Sequence, residues 1–212
     1  KATGVPLIWI GAKVMLGKLL RELNCLKKPE TMHVAVKAPM FSFMRLRGAD
    51  PVLGVEMTST GEVACLDYDF AGAYIKALTA SNLGIPKPDK PVLITVREED
   101  KKIAVEIAKK FEMMGYPIFA TKGTSQVLEE NGVKGIKVFR KISERRGGKS
   151  IIDYLTGREI GLVINTPTVT NGFSFDDGYK IRRVATEFFV PVITRIETAE
   201  ALADALLKNG IK

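Results

Sequence analysis

Two cysteines, one histidine and one tryptophan are all that this 212-residue chain has of those types. Cys25 and Cys65 stand far apart and in no Cys-x-x-Cys pattern, which argues against a disulfide framework and against a zinc site. They read as buried free thiols in a reducing compartment. His33 sits in an apolar stretch with Val34, Ala35 and Val36 and reads as structural. Trp9 reads as a core anchor at a helix start. No apolar run reaches the about 20 residues a membrane span needs; the longest, residues 5–17, contains Lys13. No glycine-rich loop ends in Gly-Lys-Ser/Thr, no His/Cys/carboxylate cluster suggests a metal, and no serine has a plausible histidine partner. The first residue is Lys1, not Met, so the chain reads as a piece of something longer, and a signal peptide would be hidden.

Charge is not concentrated either. The net +8 divides into +4 over residues 1–90 and +4 over residues 91–212. Nucleic-acid binding usually needs a basic arm or patch, so neither nucleic acid nor membrane is expected as a partner. The local pairs Arg145-Arg146 and Arg182-Arg183 would suit a small phosphorylated ligand.

What is present is a proline break followed by a regular pattern. Residues 85–91 hold three prolines in seven positions, which neither a helix nor a sheet interior accommodates well. The boundary is therefore drawn there, between residues 1–85 and 91–212. Beyond it, residues 92–96 are a short β-branched run and read as a buried strand. Acidic residues 98–100 favour a helix start. Ile103, Val105, Ile107, Ala108 and Phe111 then recur at near-helical spacing, with Gly115 as a left-handed stop. Further strands are read at 116–120, 135–142, 162–165 and 191–194, and further helices at 124–131, 150–155, 176–189 and 199–207. Strands alternating with helices through short loops predict an α/β fold: a five-stranded, mostly parallel sheet with helices on both faces. Before the break the pattern is poorer. One amphipathic helix is expected over 7–23, a strand over 33–43, turns at 45–54 and 59–62, and a helix over 69–79.

In a parallel sheet, ligands bind beyond the carboxyl ends of the strands. Those ends carry Arg97 and Lys101, then Thr121-Lys122-Gly123-Thr124, then Lys141, and then Asn165-Thr166. In the second of these, Gly123 lets the backbone approach a ligand, the helix amides favour an anion, and two hydroxyls add donors. The competing reading is that Thr121 and Thr124 only cap the helix. With Lys101, Lys141 and Asn165 on the same edge, a phosphate-sized anion site is favoured. Asp176-Asp177 read as a helix start, not as a paired acid and base.

Several segments resemble a known family. Residues 1–7 (Lys-Ala-Thr-Gly-Val-Pro-Leu), 12–15 (Ala-Lys-Val-Met), 48–57 (Gly-Ala-Asp-Pro-Val-Leu-Gly-Val-Glu-Met) and 59–63 (Ser-Thr-Gly-Glu-Val) resemble the end of the second ATP-grasp half of carbamoyl phosphate synthetase large subunits. From Val92 on, the chain resembles the methylglyoxal-synthase-like regulatory domain of the same proteins. The resemblance implies a smaller α+β remnant of an ATP-grasp domain ahead of the sheet. It also implies membership of a cytoplasmic ATP-dependent ligase that makes carbamoyl phosphate for pyrimidine and arginine synthesis. ATP and Mg or Mn would act upstream, leaving no cofactor and little or no catalytic site here. A small glutaminase subunit, the rest of the large subunit and a nucleotide monophosphate effector would be the partners. In bacterial members the effector phosphate is held at positions matching Lys101, Thr121, Thr124, Lys141, Asn165 and Thr166, with Gly123 inside that loop; one further threonine of the pattern is Pro167 here. Uridine monophosphate, inosine monophosphate and N-acetylglutamate all serve as effectors within the family. Members that bind N-acetylglutamate place a tryptophan where this chain has Lys141, which favours a nucleotide. Ornithine-responsive members use a glutamate and a tyrosine where Ala38 and Val192 stand, with only Thr194 of that set retained, so ornithine is not expected. A methylglyoxal synthase is the rival enzyme, but it needs a carboxylate base where this chain reads Gly147-Gly148-Lys149.

Overall fold

A computed structural model describes residues 2–25, 29–43, 45–46, 48–52, 59–81, 83–140, 142, 148–168 and 176–210. Five short strands form the main sheet: β3 (Val92–Thr95), β4 (Ile118–Thr121), β5 (Lys137–Phe139), β6 (Leu162–Asn165) and β7 (Val192–Ile193). They lie in the order β5-β4-β3-β6-β7, and every pairing is parallel. The α/β expectation of a five-stranded sheet therefore holds, with the wholly parallel form of it. The reason is visible in β3 and β6, apolar without interruption and buried along almost their whole length. A strand covered on both faces has no polar alternation to show.

Strand alternation divides the core in two. Val92 and Ile94, with Leu162 and Ile164, face one cluster; Leu93 and Val163 face the other. The first cluster is closed by α3 (Lys101–Met113), α4 (Lys122–Glu130) and α7 (Ile196–Asn209), through residues such as Phe111, Leu128 and Leu202. The second is closed by α5 (Ile151–Thr156) and α6 (Asp177–Glu187), through Ile151, Leu155 and Ile181. Gly115 and Gly132 end α3 and α4 at φ +83° and +91°, a region that only glycine enters freely.

The first third of the chain differs from expectation in three places. The single helix over 7–23 is two pieces, α1 (Leu7–Met15) and a 3₁₀ turn (Leu20–Leu23), separated at Gly17 with φ +89°. Trp9 is not a core anchor: it is 55% exposed, and only Ile10 of α1 is buried. A strand follows the turn at 59–60. Strand β2 (Gly61–Asp67) pairs antiparallel with β1 (Val34–Met40), from Val34 opposite Asp67 to Met40 opposite Gly61. Helix α2 (Phe70–Ala80) lies against this hairpin and against α7. Its Leu78 joins the sheet's first cluster, and its Tyr74 hydroxyl donates to the Thr198 carbonyl at 3.0 Å. Cys25 and Cys65 are free and half-buried, where fuller burial was expected, and His33 Nε2 lies 2.6 Å from the Ala2 carbonyl oxygen. Among the described residues no helix is long and apolar enough to cross a membrane, and no cluster of metal-ligating side chains occurs.

Candidate functional site

Because all five strands run the same way, their carboxyl ends open on one edge, and a cleft of about 700 Å³ lies there. Thr95, Val96, Glu98 and Lys101 form one side of it, from the end of β3 to the start of α3. The β4–α4 turn adds Thr121, Lys122, Gly123 and Thr124. Arg140 follows β5, and Asp176, Asp177 and Gly178 come from the start of α6.

The β4–α4 turn separates the two readings of its threonines. Thr121 occupies the N-cap position of α4, but its side chain does not cap the helix. Its hydroxyl makes long contacts instead, 3.3 Å to Thr95 Oγ1 and 3.5 Å to Thr124 Oγ1. Thr124 is 2% exposed and accepts from the Val96 amide at 3.4 Å. The first-turn amides of a helix have no partner within the helix. Among the described residues no side chain takes them, so an anion in the cleft has donors to meet. The side chain of Lys101 is only 16% exposed, and its Nζ lies 4.0 Å from where a Cβ on Gly123 would stand.

The cleft is not simply positive. Lys101, Lys122 and Arg140 face it, but so do Glu98, Asp176 and Asp177. Glu98 Oε2 is 2.6 Å from Lys101 Nζ, so the best-placed cation already has a counter-ion. Asp176 caps α6 by accepting from the Tyr179 amide at 2.7 Å, and Asp177 lies 3.6 Å from Lys180. Both carboxylates thus serve the helix start, as the sequence suggested.

Lys101, Thr121, Gly123 and Thr124 are brought together as expected. Asn165 and Thr166 are not in the lining. Alternation along β6 puts Asn165 on the same face as Val163, under α6, where its Oδ1 accepts from Arg182 Nη1 at 2.5 Å. Thr166 Oγ1 accepts from the Arg97 amide at 3.1 Å. Arg97 itself is held by the buried Asp100, at 2.8 Å from its Nε, and that bond raises the guanidinium's pKa further. Both residues back the cleft. Lys141 lies outside the described residues, as do Arg145, Arg146 and Gly147. Arg182 and Arg183 are not a ligand-binding pair: they are 3% and 7% exposed and spend their donors inside the protein. Lys149 also points elsewhere. It pairs with Glu159, which raises its pKa, and lies 4.5 Å from the centroid of the Tyr154 ring. The sequence reading missed Arg140, took Glu98 only as part of a helix start, and gave Lys122 no role beyond its place in the turn. Their signal was position alone, at a strand end or helix start beside residues already chosen.

Residues 103–194 match the family described as MGS-like domain. The chain is 41% identical over 208 residues to the carbamoyl phosphate synthase large chain of Agathobacter rectalis, a match covering 97% of this chain and 19% of that protein. It is 42% identical over 212 residues, 99% of its length, to the proteins of the same description from Methanosarcina mazei and Methanosarcina barkeri, of which it covers 19% and 52%. The chain thus spans from about a fifth to about half of the length of these relatives.

Proposed function

The chain carries an MGS-like domain and corresponds, over nearly all its length, to the C-terminal part of carbamoyl phosphate synthase large chains; from that premise we propose that its cleft binds the phosphate of a nucleotide monophosphate and so regulates such an enzyme. Uridine or inosine monophosphate is the effector this reading favours. Residues 91–212 would be the sensing domain and residues 1–85 the end of an ATP-grasp domain with its linking helices. The whole protein would be an ATP-dependent ligase of the cytoplasm, acting with a glutaminase subunit in pyrimidine and arginine synthesis. ATP and its metal ions would be bound in other parts of that protein, not in this stretch.

The observation that carries the reading is the uncapped first turn of α4 opening on the cleft beside Lys101. A doubly charged phosphate matches two features at once: free amides at the positive end of a helix and a lysine ammonium. A methylglyoxal synthase is disfavoured because Lys149, at the position of its carboxylate base, is a cation tied to Glu159 outside the cleft lining.

Calorimetric titration of uridine monophosphate, inosine monophosphate, N-acetylglutamate and inorganic phosphate tests the proposal. A nucleotide should bind most tightly, and binding should weaken with salt. Tighter binding of N-acetylglutamate would assign the cleft to a different effector. Release of methylglyoxal from dihydroxyacetone phosphate would make the domain an enzyme.

A further inference from the structure

Helix α6 has two jobs along one length. Its first turn, at Asp177 and Gly178, walls the cleft. One turn further on, Arg182 and Arg183 turn away from the cleft and hold Phe43, Leu46, Ala49 and Asp50, which lie between β1 and β2.

The grip is made of buried charge. Arg182 is 3% exposed; its Nε donates to Asp50 Oδ1 at 2.7 Å, its Nη2 to Asp50 Oδ2 at 2.5 Å and its Nη1 to Asn165 Oδ1 at 2.5 Å. Arg183 Nη1 donates to the carbonyls of Phe43, Leu46 and Ala49 at 3.0–3.1 Å. A buried guanidinium that loses its partners strands an uncompensated charge, which is strongly unfavourable. Such a contact does not stretch by degrees. It is made, or it is exchanged for another set of partners, because a guanidinium between the two would be left buried and unpaired.

Gly178 lines the cleft on one side and lies beside this grip on the other. A Cβ on Gly178 would stand 3.0 Å from Arg182 Nη1 and 3.6 Å from Asn165 Oδ1. Anything in the cleft that displaces Gly178 therefore presses on the guanidinium that holds Asp50.

We infer that Asn165, Arg182 and Asp50 form a buried relay that links occupancy of the cleft to the arrangement of Phe43, Leu46, Ala49 and Asp50. The inference rests on the effector reading of the cleft and gives that reading its output. Arg182 is a positioning residue in this scheme, and it need not touch the ligand. Asn165 fixes the guanidinium from the sheet side, at the end of a central strand. Asp50 is the receiving end.

Hydrogen exchange followed by mass spectrometry on the 212-residue chain, with and without uridine monophosphate, tests it. Bound nucleotide should change exchange across residues 43–50 by about fivefold or more, the lower end of ordinary coupling between sites. Asp50→Asn keeps the side chain's size but weakens the fork. It should still bind nucleotide, which also shows that it is folded, while residues 43–50 no longer respond. Arg182→Lys is the second variant, since it keeps the buried charge and loses the bidentate geometry; the same loss of response is expected. If nucleotide binds the wild type and residues 43–50 do not respond, the relay falls and the effector reading stands. A response that survives in either nucleotide-binding relay variant also overturns the relay. If neither uridine monophosphate nor inorganic phosphate binds the wild type, the effector reading falls and takes the relay with it.

Discussion

The central strands and helix α1 are both apolar, and they use that apolarity in opposite ways. Leu93 and Ile94 of β3 and Val163 and Ile164 of β6 are fully buried, packed against the helices that the chain lays on the two faces of the sheet. In α1, Ile8 is 92% exposed and Met15 90%. The parallel sheet supplies its own cover, because every strand-to-strand crossover lays a helix on one face or the other. A lone helix has no such neighbour built into its connectivity. Apolarity in a sequence says that a residue should be buried; only connectivity says against what.

The contrast has a direct energetic form. Phe111 on α3 is fully buried and packs edge-on with Tyr116, ring centroids 5.3 Å apart. Phe111→Ala should cost about 3–5 kcal/mol, the range for truncating a buried phenylalanine. Trp9→Ala removes a larger ring and should cost no more than about 0.5 kcal/mol, as at other sites open to solvent. Urea unfolding of the two variants measures both. A Trp9→Ala loss as large as that of Phe111→Ala would break the comparison. Native-state exchange sharpens it. Amides of β6 should open only with global unfolding, and those of α1 by local fraying. Equal protection would show that α1 shares the core.

The same difference explains which parts of the structure could be read in advance. The inner strands β3, β4 and β6 were legible because burial on both faces leaves a local signature, a short run such as Leu162-Val163-Ile164. Strand β2 was not. Its sequence, Gly-Glu-Val-Ala-Cys-Leu-Asp, starts like a turn, and its burial alternates between half-buried and exposed. What makes it a strand is its partner β1, which ends 21 positions earlier at Met40. The site divided along the same line. Thr121, Gly123 and Thr124 are neighbours in sequence and in space. Asn165 was placed on the correct edge of the sheet but assigned to the cleft, whereas alternation turns it under α6. Arg182 and Arg183 read as a pair suited to a phosphorylated ligand, but Asp50, 132 residues away, takes Arg182, and Glu187, one turn on, pairs with Arg183 at 2.9 Å.

Within the cleft the expected effects are smaller, and they come with opposite signs. Lys101→Ala deletes a charged donor to the ligand phosphate, a bond of about 1.5–3 kcal/mol, so nucleotide affinity should fall by about tenfold or more. Glu98→Gln should act the other way. Glu98 holds the Lys101 ammonium at 2.6 Å, and an incoming phosphate must compete with it. The side chain of Glu98 is 79% exposed, so solvent screens the pair and the gain should be only about twofold to threefold. Calorimetry on both variants at one fixed salt concentration reads the pair of effects. A loss of affinity in Glu98→Gln would mean that the carboxylate contacts the ligand productively, and would reverse its role.

The smallest expected effect sits on α2, the helix lying between the hairpin and the sheet domain. Asp69 caps it, accepting from the Gly72 amide at 2.8 Å, and also pairs with Lys208 of α7 at 3.0 Å. The amide bond first, and the lysine second, hold its carboxyl below the ordinary aspartate range. A carboxyl whose folded pKa is depressed binds fewer protons in the folded state than in the unfolded one. Its stabilising contribution is therefore complete above the unfolded value, about pH 4, and is lost as pH falls through the lower folded value. Asn is also a good N-cap, so Asp69→Asn removes the charge and largely keeps the cap. The melting temperature of the wild type should exceed that of Asp69→Asn slightly near pH 6, and the gap should close on acidification below about pH 4. Asp67 pairs with Lys76 on the same helix, is depressed likewise and titrates in both proteins, so it cancels in the difference. A gap that is constant with pH, or widens in acid, would show that the tie between α2 and α7 does not depend on the charge of Asp69.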